Sequence, residues 1–167
     1  MSKFNFIILL IILAVAQTIF ATSFSFYGAV PNLFILALVW LSIHHTGRPS
    51  WFLAAAGGIF LDLYSGTFFG LHLITLLILC SALKMALDSF LPREENPFLM
   101  AGLLVVSTAG YQIVFFLANL FLVYWNLVDY LEFRRFFGAK LIWQILYSLI
   151  IFYPVSLLAK KLLPRKS

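Results

Sequence analysis

The chain has 167 residues, of which 63% are hydrophobic and only 10% are charged, and its mean hydropathy is +1.05. A soluble domain of this length cannot bury so much apolar surface, so the composition excludes soluble enzymes and predicts an integral membrane protein. The net charge of +5 does not indicate nucleic-acid binding. The basic residues lie at the ends of apolar segments, which is the pattern that orients a protein in a membrane.

Six apolar segments follow one another along the chain and predict a single transmembrane domain over residues 1–167. A helix rises about 1.5 Å per residue, so a segment of about 20 apolar residues crosses a bilayer. The predicted fold class is therefore an all-α integral membrane protein, a six-helix bundle in which the second and third helices are short. The approximate spans are 4–22, 31–45, 51–65, 71–88, 98–124 and 138–160.

The two short segments, Pro31–Ile43 and Trp51–Leu63, leave two arrangements open. As helices they are only roughly 20 Å long, whereas the hydrocarbon core is about 30 Å thick. They either cross by recruiting flanking residues or form a re-entrant hairpin that is buried in protein. Crossing is preferred, because the hairpin would leave Arg48 at membrane depth without an evident partner.

The distribution of basic residues predicts the orientation. With six crossings, eight Lys and Arg residues fall on the side of the two termini and three fall on the other side. This asymmetry predicts that both termini are cytoplasmic. The hairpin arrangement gives the same side for both ends, so the count does not separate the two arrangements.

Asp62 is the one acidic residue within the apolar runs, and small residues recur every fourth position around it: Ala54, Gly58, Gly66 and Gly70. Rows of this kind let two membrane helices approach closely. An acid at bilayer depth is costly, so Asp62 is expected to face protein or water. We interpret it as a structural hydrogen-bond acceptor or a polar anchor for a partner, and a proton or cation site is the rival interpretation.

Ser65 and His72 raise the question of a serine nucleophile. Such a residue needs a base in contact and oxyanion donors, but the glycine expected two residues before the serine is absent and no residue is expected to orient the histidine. The three histidines lack carboxylates at ligand spacing, and Cys80 is the only cysteine. No catalytic residue, metal or cofactor is predicted.

The segment PNLFILALVWLSI, a short polar turn and GGIFLDLYSGTFFGLHLITL together resemble the MreD family of bacterial rod shape-determining membrane proteins. That family typically shows a Pro-Asp/Asn-Leu start, a glycine-rich run ending in Asp-Leu, and then Ser-Gly and Gly-Leu. Pro154 followed by Lys160 and Lys161 also resembles the last helix of the family. The matching positions are Pro31, Asn32, Leu33, Gly58, Asp62, Leu63, Ser65, Gly66, Gly70 and Leu71.

The resemblance implies a non-enzymatic scaffold of the cell-elongation machinery in the bacterial cytoplasmic membrane. It implies binding to the single-span protein MreC, support of side-wall peptidoglycan synthesis, and contact with the peptidoglycan glycosyltransferase/transpeptidase pair. It also implies a fold similar to the substrate-binding subunits of energy-coupling-factor vitamin transporters, so the alternative function is a transporter subunit of that type. The structural or partner candidates are Pro31, Asn32, Gly58, Asp62, Ser65, Gly66, Gly70 and His72.

The sequence also predicts which residues pack within the protein and which contact a partner. Gly58 and Asp62 are expected to pack the protein's own helices, which leaves partner contact to the apolar outer faces and to the aromatic stretch Trp125–Phe137. Polar residues spaced along single faces of the fifth and sixth helices predict interhelical hydrogen bonds. These residues are Gln112, Asn119, Gln144 and Ser148.

Overall fold

The computed structural model describes residues 3–23, 30–44, 48–89, 97–127 and 139–162. Within these ranges the chain is all-helical, which confirms the predicted class. Its helices are α1 (Lys3–Ser23), α2 (Leu33–His44), α3 (Pro49–Ser65), α4 (Leu71–Ser89), α5 (Pro97–Tyr124) and α6 (Ala139–Leu162). Four of them contain stretches that are long and apolar enough to cross a membrane, namely Phe4–Ser23, Leu71–Ser89, Phe98–Tyr124 and Leu141–Leu158.

The shortest of the described helices, α2, lies at the centre of the bundle. It has 12 residues, and every residue from Leu33 to Ile43 is buried. The five other helices in the described ranges all pack against it. A helix that is apolar on every face needs protein or lipid on every side, and here the other helices supply that cover. The second segment therefore forms the core of the bundle.

The longer helices α1 and α6 are peripheral. In each, only 17% of the most apolar 18-residue window is buried. The exposed residues of α1 recur at helical spacing, as in Ile7, Ile11, Val15 and Ile19. Such an apolar stripe is what a helix presents to lipid.

Two consecutive glycines bring α3 close to both of its neighbours. A Cβ built on Gly57 would lie 2.5 Å from Cδ1 of Phe34 in α2. A Cβ built on Gly58 would lie 2.9 Å from the backbone nitrogen of Leu73 in α4, and closer still to its Cα. Neither contact leaves room for a side chain, so these glycines set the distances from α3 to α2 and α4.

Candidate functional site

The start of the central helix is fixed by polar groups from two segments. The Oδ1 of Asn32 accepts hydrogen bonds from the backbone N–H groups of Phe34 (3.1 Å) and Ile35 (3.4 Å), as an N-cap residue does. Gln17 in α1 donates to the carbonyl of Pro31 (3.1 Å) and accepts from the N–H of Leu33 (2.8 Å). The Pro-Asn-Leu sequence is thus the capped beginning of α2, and Gln17 joins it to α1.

Asp62 stabilises the start of α4. It is 3% exposed, and its carboxylate accepts hydrogen bonds from the N–H groups of Gly70 (2.9 Å), His72 (2.8 Å) and Leu73 (3.2 Å). The first N–H groups of a helix have no partner within the helix, and they attract negative charge. The geometry gives the carboxylate the contacts of a structural hydrogen-bond acceptor.

The row of small residues ends at Asp62. Helix α3 stops at Ser65, and Gly66 follows with a φ of +64°. Gly70 has a φ of +99°, and a Cβ built on either glycine would have nothing within 4 Å. The expectation that these two glycines extend the helix-packing row is therefore wrong. They allow the left-handed backbone of the turn that leads into α4.

A chain of side-chain hydrogen bonds runs from Asn32 to Ser65. The side chain of Asn32 bonds to Tyr111, whose hydroxyl lies 2.5 Å from Nδ1 of His72. On the other side of the ring, Nε2 of His72 lies 3.0 Å from Oγ of Ser65. The expectation that no residue orients His72 is therefore wrong, because Tyr111 does so.

The chemistry of these hydrogen bonds depends on which group donates and which accepts at each step. Oδ1 of Asn32 already accepts two backbone bonds, so its Nδ2 is the donor to Tyr111. The Tyr111 hydroxyl proton is therefore available for Nδ1 of His72, and in the tautomer that accepts it the ring proton lies on Nε2, facing Ser65. A histidine in this tautomer donates to Ser65, so the hydrogen-bond chain orients the side chains of Tyr111, His72 and Ser65.

These residues line a polar cleft of about 360 Å³. Every helix or its adjoining turn contributes to its wall, with Gln17 from α1 and Gln144 from α6 at its edges. We call this the polar cleft. The described residues that line it are Gln17, Ala21, Val30, Asn32, Leu61, Tyr64, Ser65, Thr67, His72, Tyr111, Gln112, Phe115 and Gln144.

Two glutamines join α5 to α6 at this cleft. The side-chain amide of Gln112 donates to Oε1 of Gln144, and both residues are buried. This bond confirms the predicted interhelical hydrogen bonding for Gln112 and Gln144 and shows that it joins the fifth and sixth helices. The Oε1 of Gln112 has no hydrogen-bond partner among the described residues. Asn119 and Ser148 are also buried, and Oδ1 of Asn119 has no hydrogen-bond partner among the described residues, so for these two the interhelical bonds stay a prediction.

The structure brings some of the sequence-derived candidates together and separates others. Asn32, Ser65 and His72 meet at the polar cleft, with Asp62 next to them. Pro31 is buried at the start of α2, Gly58 lies between α3 and α4, and Gly66 and Gly70 shape the turn. No group of metal-ligating side chains occurs within the described ranges.

Sequence reasoning did not place Gln17 or Tyr111 at the site. Gln17 carried a usable signal, because it is a side-chain amide within an otherwise apolar first segment. Tyr111 carried none, since a tyrosine in an apolar run is usual and its contact with His72 joins residues 39 positions apart.

Of the comparisons with known proteins, one with a family model gives a match. A model of the family of rod shape-determining protein MreD matches residues 1–162. No curated protein and no solved structure matches the chain. Together with its apolar helices, the match marks a multi-pass membrane protein of the shape-determining system. Because the match covers nearly the whole sequence, the chain belongs to the MreD family.

Proposed function

We propose that this protein is a non-enzymatic scaffold of the cell-elongation machinery in the bacterial cytoplasmic membrane. In this proposal it binds an MreC-type single-span protein, contacts the peptidoglycan glycosyltransferase/transpeptidase pair, and supports side-wall peptidoglycan synthesis. The observation that carries it is the family match over residues 1–162.

The geometry of the polar groups supports the non-enzymatic part of the proposal. The Asp62 carboxylate is occupied by three backbone N–H groups, and the His72 ring is held between Tyr111 and Ser65. A general base needs a free acceptor beside the group that it deprotonates. The arrangement favours a role in holding a binding surface in shape.

The partner surface that we propose is the aromatic cluster at the end of α5, which we define as Phe121, Tyr124 and Trp125. Their exposed fractions are 63%, 80% and 61%, and the rings of Phe121 and Tyr124 both contact that of Trp125. Exposed aromatic residues in a group are typical of binding surfaces. The cluster begins the stretch Trp125–Phe137, of which residues 128–137 lie outside the described residues.

Co-purification in mild detergent tests this proposal. The wild-type protein is expected to retain an MreC-type partner, and the double change Tyr124→Ala with Trp125→Ala is expected to lose most of it while the protein remains folded. Phe98→Ala is the matched control, because Phe98 is 86% exposed at the opposite end of α5. Equal recovery of the partner with all three proteins would place the interface elsewhere, and recovery of no partner with the wild type would contradict the scaffold.

The proposal includes cytoplasmic termini and full crossing by the second and third segments. Single cysteines at His45 and Glu94 are expected to be protected from an impermeant external label, and one at Asp129 is expected to react. All three positions lie outside the described residues. Protection of position 45 even in opened membranes would indicate the buried hairpin instead.

A transporter subunit is the second candidate, because the polar cleft supplies the polar cavity that a substrate-binding subunit needs. Fold similarity to the energy-coupling-factor subunits belongs to this candidate. It ranks second because the family match points to shape determination. Uptake of a vitamin-like compound by the protein with an energising module would favour it over the scaffold.

A further inference from the structure

Two neighbouring parts of the molecule make opposite demands on the membrane at one level. The turn between α3 and α4 is non-helical, and it is exposed from Gly66 to Phe69. Beside it, α5 carries exposed apolar side chains past this level to the aromatic cluster. We propose that the lipid leaflet on this side is indented over the turn, so that the α3–α4 pair fits a hydrocarbon layer about 20 Å thick. This inference goes beyond the scaffold role and does not depend on it.

Contacts between α4 and α5 establish the level of the turn. The ring of His72, the second residue of α4, stacks on Phe115 with centroids 4.7 Å apart and bonds to Tyr111. From Phe115, α5 continues to Tyr124 and rises about 13 Å further. The turn directly precedes His72, so the end of α5 lies on the order of 10 Å above the turn.

The opposite ends of α3 and α4 show how short this pair is. The Nζ of Lys84 lies 5.5 Å from the ring centroid of Trp51, so these two side chains share one level. From there, α3 rises about 20 Å to Tyr64, and α4 spans the same distance back to Leu71. Trp, Tyr and Lys side chains are typical anchors at the membrane interface. The anchors of this pair are therefore about 20 Å apart, whereas a usual hydrocarbon core is about 30 Å thick.

The turn cannot face hydrocarbon. Non-helical backbone that is exposed to lipid leaves N–H and C=O groups without hydrogen-bond partners. Ser65 and Thr67 are exposed on the turn and add hydroxyl groups that also need water or headgroups. Phe68 and Phe69 are exposed there as well, and such rings lie at the boundary between headgroups and acyl chains. The composition of the turn therefore fits the headgroup layer.

The end of α5 makes the opposite demand. Leu117 and Phe121 are 58% and 63% exposed, and both lie between the level of the turn and that of Tyr124. Apolar side chains at these positions fit lipid, with the aromatic cluster at its boundary. A flat leaflet that covers the end of α5 submerges the turn, and a flat leaflet at the turn leaves the end of α5 in water. An indentation satisfies both, because a bilayer thins beside a short hydrophobic segment at modest cost.

Nitroxide labels measure the indentation. In a Cys80→Ala background, the single variants are Phe69→Cys at the turn, Leu117→Cys at a similar level on α5, and Tyr124→Cys at the aromatic cluster. All three side chains are exposed, so a label there does not disturb the core. The full chain is reconstituted in dioleoylphosphatidylcholine vesicles. Collision rates with oxygen and with a water-soluble nickel complex then give the depth of each label below the local headgroups.

The label at position 69 is expected at the headgroup level, within about 5 Å of the depth at position 124. The matched control is position 117, where the label is expected in hydrocarbon, about 10 Å deeper than at position 124. In dierucoylphosphatidylcholine vesicles, whose acyl chains are longer, the label at position 117 should lie deeper still, whereas the label at position 69 should stay at the headgroups.

A label at position 69 as deep as that at position 117 would overturn the inference, because the leaflet would then be flat over the turn. So would a label at position 124 in bulk water with position 117 at the headgroups, which places a flat leaflet at the turn. Shielding of position 69 from both reagents would mean that protein, such as a second copy of the chain, covers the turn.

A tilt of the whole molecule is separated by the other end of α3. Phe52 is exposed next to Trp51, and a label at Phe52→Cys is expected near the headgroups of the opposite leaflet. A label there about 10 Å inside the hydrocarbon would show that the molecule tilts and that the leaflet is not indented. None of these measurements concerns recovery of a protein partner, so failure here and failure of the scaffold proposal are distinguishable.

Discussion

The two neighbours of α4 pack against it in opposite ways. On one side, α3 approaches until Gly58 touches the backbone of Leu73, and Asp62 joins the two helices through three hydrogen bonds. On the other side, α5 also contacts α4, but an apolar groove of about 610 Å³ lies along their junction. The same helix therefore has one interface without spare space and one with enough space for several side chains.

The difference shows that a glycine in an apolar helix does not by itself indicate close packing. Gly102 lines the groove between α4 and α5, and a Cβ built on it would have nothing within 4 Å. A Cβ built on Gly110 would make only an ordinary contact, 3.7 Å from Cδ1 of Leu79. What determines the role of such a residue is the position of the opposite backbone, which the local sequence does not contain.

The largest expected effect comes from leucine at these two kinds of glycine. Gly58→Leu should prevent recovery of the folded monomer, because the side chain would have to displace the backbone of α4 at a cost of more than about 3 kcal/mol. Gly102→Leu should leave the folded yield unchanged, since the groove accepts the side chain. The measurement is the monodisperse yield of each variant after size-exclusion chromatography in detergent.

Two outcomes for these leucine variants would contradict the prediction. A well-folded Gly58→Leu monomer that has lost only its partner would move the partner interface onto the α3 face. A misfolded Gly102→Leu would mean that the groove is closed in the membrane.

The second effect concerns Asp62, which holds the tight interface. Asp62→Leu leaves three N–H groups at the start of α4 without their acceptor and should destabilise the protein by about 2–4 kcal/mol. Asp62→Asn should be intermediate. Its amide keeps one oxygen for Gly70 and Leu73, but it turns an N–H group towards that of His72. The readout is the midpoint of thermal unfolding in detergent, and equal midpoints for the two variants would mean that the hydrogen bonds contribute little.

The sequence predicted much of this architecture because membrane helices are constrained locally. Each helix must satisfy its own backbone and present apolar side chains, so long apolar runs between polar turns indicate the helices. The turn after Ser65 also had a local signal in Ser65-Gly66. The spacing of four between small residues continues by coincidence past the end of α3. It therefore wrongly predicts that Gly66 and Gly70 belong to the helix-packing row.

The polar cleft was less predictable because its contacts are long-range. Gln17 caps α2 from another helix, and Tyr111 reaches His72 from α5. Nothing in the sequence near these residues specifies their partners. The sequence predicts in general terms that Asp62 accepts hydrogen bonds, whereas the amides at the start of α4 that it binds follow only from the fold.

A third and smaller effect is expected in the turn that joins α3 to α4. Gly70→Ala forces an L-residue to a φ of +99° and should cost about 1 kcal/mol, although a Cβ built there would meet nothing within 4 Å. Gly102→Ala is the matched control, because it adds the same methyl group within a helix. The thermal midpoint should fall for the first variant and stay or rise for the second. A stable Gly70→Ala protein would show that the turn adopts another backbone conformation.

The smallest effect is expected at the exposed end of the hydrogen-bond chain. Ser65→Ala removes the bond to Nε2 of His72 and two local bonds to Thr67, all at an exposed position where water can replace them, so it should shift stability by no more than about 0.5 kcal/mol. Tyr111→Phe removes the buried member of the same chain and leaves both Nδ1 of His72 and the amide of Asn32 without their partner, so it should cost about 1–3 kcal/mol. Thermal midpoints of the two single variants and the double variant measure this gradient. If Ser65→Ala were as damaging as Tyr111→Phe, the chain would act as one cooperative unit, and Ser65 would join Asp62 in holding α3 to α4.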